Sequence, residues 1–73
     1  MYKVISNGKE FNLSSINKHW LKNNPSFNLF DGQKLLARYT IVAESSVIKE
    51  CFDINRSSLV NSIYKDVVGT LVS

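Results

Sequence analysis

The side chains able to do chemistry in this chain are few and scattered. Glu10, Asp31, Glu44, Glu50, Asp53 and Asp66 are its carboxylates, and no two stand at a spacing that sets a general acid against a general base. His19 is the lone histidine and sits beside Lys18. Without a second His or Cys at ligand spacing it reads as a solvated side chain, and no metal site is expected. Cys51 is the lone cysteine. It is expected on the apolar side of a helix, as inert packing rather than a nucleophile. No glycine-rich phosphate loop occurs. The residues therefore predict no enzyme, no cofactor and no small-molecule substrate.

Recognition is what remains. Ser46 through Tyr64 reads as helix, tight turn, helix, with Ile48, Phe52, Ile54, Leu59 and Ile63 as the apolar anchors that hold two such helices at a fixed angle. The second helix then offers Arg56, Ser57, Ser58, Asn61, Ser62 and Lys65 on its outer side. Asn pairs with adenine edges, Ser with several bases, and Arg or Lys with guanine or phosphate. The expected mechanism is insertion into the major groove of DNA.

Charge supports an anionic partner, unevenly. The chain carries +3 overall. Residues 1–43 hold six bases against two acids, a net of +4, while residues 44–73 hold three bases against four acids, a net of −1. A basic excess favours nucleic acid, and here it lies away from the groove-reading segment. Lys9, Lys18 and Lys22 are thus candidate contacts to DNA phosphate or to a partner protein.

These residues need a scaffold, and 73 residues make one domain, 1–73, near the lower size for folding without staples. Apolar residues at 44% and eight aromatics can supply a core. A single cysteine forbids an intrachain disulfide framework and points to an intracellular, cytoplasmic protein. The chain has no apolar run of about 18 residues, so no membrane partner is expected.

The pattern predicts an α+β fold, with strands over 1–30 and three helices over 31–73. Asn7-Gly8 favours a two-residue type I′ turn, both positions taking positive φ. That turn sets Val4 opposite Phe11 and Tyr2 opposite Leu13 on one face, and sends Lys3, Ile5, Glu10 and Asn12 to the other. Residues 14–24 fit two descriptions. Ser14 or Ser15 can cap a short helix through Ile16, Trp20 and Leu21; alternatively His19-Trp20-Leu21-Lys22 is a third strand closed by Asn23-Asn24-Pro25. Strands are preferred, because an isolated hairpin is marginal and needs partners. On either description Trp20 is a core or sheet-face anchor. Phe27-Asn28-Leu29 alternates as a further strand.

Asp31 is a good cap for a first helix carrying Leu35, Leu36, Tyr39, Val42 and Ala43 on one face, although Thr40-Ile41-Val42 adds strand propensity. Ser45 or Ser46 can cap a second helix through Val47, Ile48, Cys51 and Phe52. A third starts near Arg56 or Ser57 and runs past Val68, with Gly69 weakening its last turn.

Short strands followed by three helices resemble the OmpR/ToxR-type winged helix-turn-helix DNA-binding domain. Residues Asn7 to Leu13 are similar to that family's early strands, and Phe27-Asn28-Leu29 with Gln33-Lys34-Leu35-Leu36 to its passage from last strand into first helix. Val47-Ile48-Lys49-Glu50-Cys51-Phe52 resembles its second helix, and Ser58 to Tyr64 its recognition helix. The resemblance implies a small DNA-binding transcription regulator reading the major groove with its third helix. Asp66-Val67 stands where the family has a leucine-arginine pair that touches phosphate, and the hairpin forming the wing has no counterpart by Ser73. Both departures imply reliance on a homodimer or on a partner regulator protein. The alternative is a protein-binding modulator or inhibitor of another regulator, acting through an exposed strand edge or the apolar tail at Val67, Val68, Leu71 and Val72. On the groove-reading assignment, Asn61→Ala combined with Arg56→Ala abolishes sequence preference in a gel shift and leaves the fold intact. Unchanged preference removes that assignment.

Overall fold

The computed structural model describes residues 1–43 and 46–73. Five strands and two helices follow one another as β1 (Tyr2–Ser6), β2 (Lys9–Phe11), α1 (Lys18–Asn23), β3 (Ser26–Asp31), β4 (Lys34–Ile41), β5 (Val47–Cys51) and α2 (Ser57–Val72). Single 3-10 turns at Leu13–Ser15 and Ile54–Arg56 precede the two helices. The strands form one antiparallel sheet in the order β2-β1-β3-β4-β5.

The hairpin forms as its turn residues require. Asn7 (φ 52°) and Gly8 (φ 77°) both take the left-handed conformation, and Val4 pairs with Phe11. The Tyr2–Leu13 pairing does not form, because β2 ends at Phe11 and Leu13 opens a 3-10 turn. Lys3 and Glu10 share the opposite face, where their side chains make an ion pair at 2.7 Å.

Residues 18–23 are helical, and the expected strand at His19–Lys22 is absent. The cap is Asn17, whose side chain accepts the Trp20 amide at 2.8 Å, rather than Ser14 or Ser15. Pro25 then keeps the chain out of helix and leads into β3, which contains the expected strand Phe27-Asn28-Leu29.

The larger correction concerns residues 31–56. An α+β fold with three helices in its second half is not what the chain adopts. Asp31 is not a helix cap but the last residue of β3, and Gly32 (φ 61°) sits in a tight turn to β4. Leu35, Leu36 and Tyr39 belong to a strand, while Val42 and Ala43 lie beyond it, exposed. The apolar pattern imitated a helix because β4 holds an irregularity. Leu29 pairs with Ala37 but Phe30 pairs with Leu35, which leaves Leu36 as an extra residue between them. Leu36 and Ala37 are consecutive yet both fully buried, which breaks the period of two that marks a strand. Val47-Ile48-Lys49-Glu50-Cys51 is strand β5, not a second helix. Of its proposed caps, Ser46 precedes the strand and Ser45, like Glu44, lies outside the described residues. Only the third helix stands, as α2, running through Gly69 to Val72.

Two faces result. Register places Val4, Phe11, Phe27, Leu29, Ala37, Tyr39, Ile41 and Val47 on one side, and both helices contribute to the core there. Helix α2 contributes buried Val60, Ile63 and Val67; α1 contributes Trp20 and Leu21. The apolar tail is therefore not free: Val67 is buried and Val68 and Leu71 pack against the core, leaving Val72 exposed. Full burial of such side chains contributes about 1.5–3 kcal/mol each, against about 0.2–1 kcal/mol for an exposed ion pair. Packing, not charge, holds α2 down.

An aromatic strip crosses this layer. Phe11 meets Trp20 edge-on at 5.3 Å, Trp20 meets Phe27 at 5.1 Å, and Phe27 stacks on Tyr39 at 5.3 Å. The Trp20 indole Nε1 is buried with no acceptor among the described residues. Trp20→Ala is expected to cost about 3–5 kcal/mol in chemical denaturation. Trp20→Phe costs clearly less, since it keeps the edge-on contacts and removes an unsatisfied donor; equal losses from both would show that the indole N–H is satisfied. Gly69 is exposed on α2, and a Cβ added there meets nothing within 4 Å, so Gly69→Ala should raise stability by roughly 1 kcal/mol.

Candidate functional site

The residues expected to read DNA do lie on a helix. Ser58, Asn61, Ser62 and Lys65 are exposed on α2, while Arg56 and Ser57 are half-buried at its start. The framework expected to hold that helix against DNA is missing, because the preceding element is a strand. Of its five apolar anchors only Ile63 is buried and Leu59 partly so; Ile48 (53% exposed), Phe52 (49%) and Ile54 (84%) face solvent. The helix itself adds no net charge, since Lys65 and Asp66 offset each other.

Arg56 is engaged within the fold. Its guanidinium meets Asp31 Oδ2 at 3.2 Å and donates to the Tyr2 hydroxyl at 2.9 Å. Arg56→Ala therefore loosens the junction of α2 with β1 and β3, contrary to the expectation that it leaves the fold untouched. The three lysines assigned to phosphate or a partner do not join this end. Lys9 lies on the hairpin strand β2. Lys18 donates to the Ser73 carbonyl at 2.8 Å, at the far end of a 16-residue helix that spans about 24 Å. With Lys22 it rims an open cleft of about 420 Å³ floored by Leu21, Pro25, Ile41 and Leu71. Among the described residues that cleft is lined by neither a carboxylate nor a nucleophile.

A compact polar cluster sits where the chain enters α2. Asp53 Oδ2 meets Lys34 Nζ at 2.9 Å, and Asp53 Oδ1 accepts the Asn55 amide at 3.1 Å. The hydrogen bond from Lys34 holds the Asp53 carboxyl below the usual carboxylate range, with the Asn55 amide and Arg56 acting in the same sense and burial opposing them. Cys51 also joins here, its thiol meeting the Asp53 carbonyl at 3.2 Å. It is exposed on a strand rather than packed in a helix core. These contacts cap the 3-10 turn at Ile54–Arg56 and orient α2, so the cluster is a structural junction. Among the described residues no three of His, Cys, Asp and Glu are placed to hold a metal ion. No described helix is long and apolar enough to cross a membrane.

The strongest surface feature is the free edge of β5. Val42 N donates to Ser46 O at 3.0 Å and Phe52 N to Leu36 O at 2.8 Å, one at each end of the β4–β5 ladder. Backbone groups alternate in direction along an antiparallel ladder. With Tyr39 paired to Lys49, the N–H and C=O of Ile48 and Glu50 point to β4, and those of Val47, Lys49 and Cys51 point outward. Of the six large apolar side chains that are exposed among the described residues, Ile48 lies on this strand, Phe52 follows it, Val42 stands beside its start and Ile54 lies in the 3-10 turn beyond. Lys49 reaches over the helix side, its Nζ 5.0 Å from the centre of the Tyr64 ring. On the other side Glu50 lies opposite Arg38.

Sequence reasoning anticipated an exposed strand edge but did not locate it at β5. The signal was present in the β-branched pair Val47-Ile48 after Thr40-Ile41-Val42, outweighed there by a spacing that also suits a helix.

Comparison with known protein families, curated proteins and solved structures finds no match to this chain.

Because the folded-state Asp53 carboxyl is more acidic than in the unfolded chain, its contribution is present above the ordinary value of about 3.9 and is lost as pH falls below that toward its lowered value. Asp53→Asn should therefore melt at lower temperature than the parent near neutral pH. The gap closes as both are acidified through this window, followed by circular dichroism; a gap that persists at low pH would mean that charge is not what Asp53 contributes.

Proposed function

We propose that this chain is a cytoplasmic protein-binding module that receives an extended segment of a partner protein along the outer edge of β5. The observation that carries the reading is an edge strand with three outward-facing backbone positions, on which Ile48 is exposed and which the exposed Phe52 follows. Unpaired N–H and C=O groups template an added strand, and flanking side chains supply selectivity.

The binding is non-catalytic on this reading: among the described residues Glu50 faces Arg38 across the ladder and the Cys51 thiol is turned to the Asp53 carbonyl. A modulator that captures another regulator fits the same surface. The competing reading is a DNA-binding regulator using the exposed Ser58, Asn61, Ser62 and Lys65. It now requires a lone helix with no net charge to enter a groove without a second helix bracing it. Phosphate neutralisation supplies most sequence-independent affinity, and α2 offers Lys65 alone.

Proline at position 49 removes the central outward N–H without touching the ladder to β4, and edge strands tolerate it. Lys49→Pro is expected to keep a cooperative melt and to lose binding to strand-forming peptides selected from a displayed random library. Lys49→Ala, which keeps the N–H, retains most of it. Equal binding by parent and Lys49→Pro would remove β5 as the site. A salt-sensitive gel shift with pooled genomic fragments, absent in an Asn61→Ala, Lys65→Ala variant, would favour the DNA reading instead.

A further inference from the structure

The sheet ends in two edge strands, β5 on one side and β2 on the other. From the way they complement each other we infer that the occupant of β5 is strand β2 of a second copy of this chain. The two run antiparallel, with Glu10 opposite Lys49, Lys9 opposite Glu50 and Phe11 opposite Ile48. The inference rests on the reading of β5 as a docking edge and names its occupant.

Backbone direction restricts the register. Ser6 and Lys9 close the two-residue turn between β1 and β2, and bonded and non-bonded pairs alternate away from such a turn. Lys9 and Phe11 therefore spend their backbone groups on β1, while the N–H and C=O of Glu10 point outward. On β5 the outward positions are Val47, Lys49 and Cys51. Antiparallel strands bond outward residue to outward residue, which leaves Glu10 three places on β5. Opposite Val47 it sets Lys9 against Ile48, and opposite Cys51 it sets Phe11 against Glu50. Opposite Lys49, both charges meet their opposites and the Phe11 ring meets a β-branched neighbour, the pairings that stabilise adjacent strands. A parallel arrangement within β5 sets Glu10 against Glu50 or against Ile48 instead.

Neither edge suits itself as well. β5 on β5 in full register places Lys49 against its own mate, and β2 on β2 does the same to Glu10; like charges directly opposed are destabilising. Slipping β5 by two residues one way sets Glu50 against Glu50. The other way brings Ile48 onto Ile48 but leaves Lys49 opposite Val47 and Glu50 opposite Ser46, with neither charge matched.

The faces agree with this pairing. Lys49 shares the helix side with Tyr39, whereas Glu10 shares the open side with Ile5. Directly opposed residues share a face of an antiparallel pair, so the second copy is inverted and its helices lie on the opposite side of the joined sheet. The Glu10 carboxylate, already 2.7 Å from Lys3, then stands between two ammonium groups. Glu50, paired across the ladder with Arg38, stands between Arg38 and Lys9. Because the contact joins unlike edges, each copy keeps one edge free and assembly continues head to tail. With β2 only three residues long, the contact is small and its population depends on protein concentration.

Sedimentation of the full chain over a concentration series at low salt tests this, with NMR amide shifts locating the contact. The parent should associate, and the Glu10 and Lys49 amides should be among those that move. The Lys49→Glu, Glu50→Lys variant and the Lys9→Glu, Glu10→Lys variant should each keep a cooperative melt and associate about fivefold or more weakly, the scale of opposed charge pairs. Mixing the two should restore association, because the altered edge of each matches the altered edge of the other; a chain carrying all four changes should recover it alone. Undiminished association of the Lys9→Glu, Glu10→Lys variant, or no recovery on mixing, would overturn β2 as the occupant. A parent that stays monomeric yet binds the selected strand-forming peptides would overturn this inference and leave the docking edge standing. A parent that does neither would overturn both.

Discussion

One long helix has to cover a five-stranded sheet, and the bond from the Tyr39 hydroxyl to the Val60 carbonyl, 2.8 Å and fully buried, fixes where it lies. Tyr39 stands on β4, between the central strand β3 and the edge strand β5, and its ring stacks on Phe27. Its hydroxyl satisfies itself on a carbonyl in the first turns of α2, so the side chain that fills the middle of the core also aligns the helix above it. Burial pushes the Tyr39 phenol well above its usual range, which keeps it a neutral donor to that carbonyl. Val60, Ile63 and Val67 then fall over the sheet at helical spacing, and the outer residues of α2 are turned to solvent as a consequence.

That arrangement explains why the molecule has two unlike surfaces. On the helix-covered side some charged residues serve junctions, as Arg56 does with Asp31 and Tyr2, and Lys34 with Asp53. The other side of the sheet is a water-facing antiparallel surface on which, among the described residues, Lys3 and Arg38 offset Glu10 and Glu50. Between the two sides runs the rim of β5. There the backbone itself is the unsatisfied group, and this is why recognition is assigned to an edge rather than to a face.

Parts of this were readable from the chain, for identifiable reasons. The hairpin was legible because Asn7-Gly8 encodes its turn locally and the flanking residues alternate in agreement with it. The last helix was legible because Leu59, Val60, Ile63, Tyr64, Val67 and Val68 keep helical spacing through about three turns. β4 was not, because the extra residue Leu36 converts alternation into a run that mimics a helical stripe. β5 was not, because as an edge strand it buries only Val47, leaving no inward-facing row to betray a period of two. Residues 18–23 had a legible apolar stripe, but the cap lies at Asn17, beyond Ser14 and Ser15, the hydroxyl residues that drew attention. The candidate site inherited these errors: it was placed on the correctly read helix, and the edge beside it was hidden inside a misread one.

The position of α2 after every strand it shields has a consequence for how the molecule is made. Until α2 docks, its share of the cover over Val4, Leu29 and Tyr39 is missing. During that interval the nascent domain displays both an apolar face and an open rim, a state prone to sticking to other chains. Lys49 and Glu50 on the rim are the charges that blunt that edge.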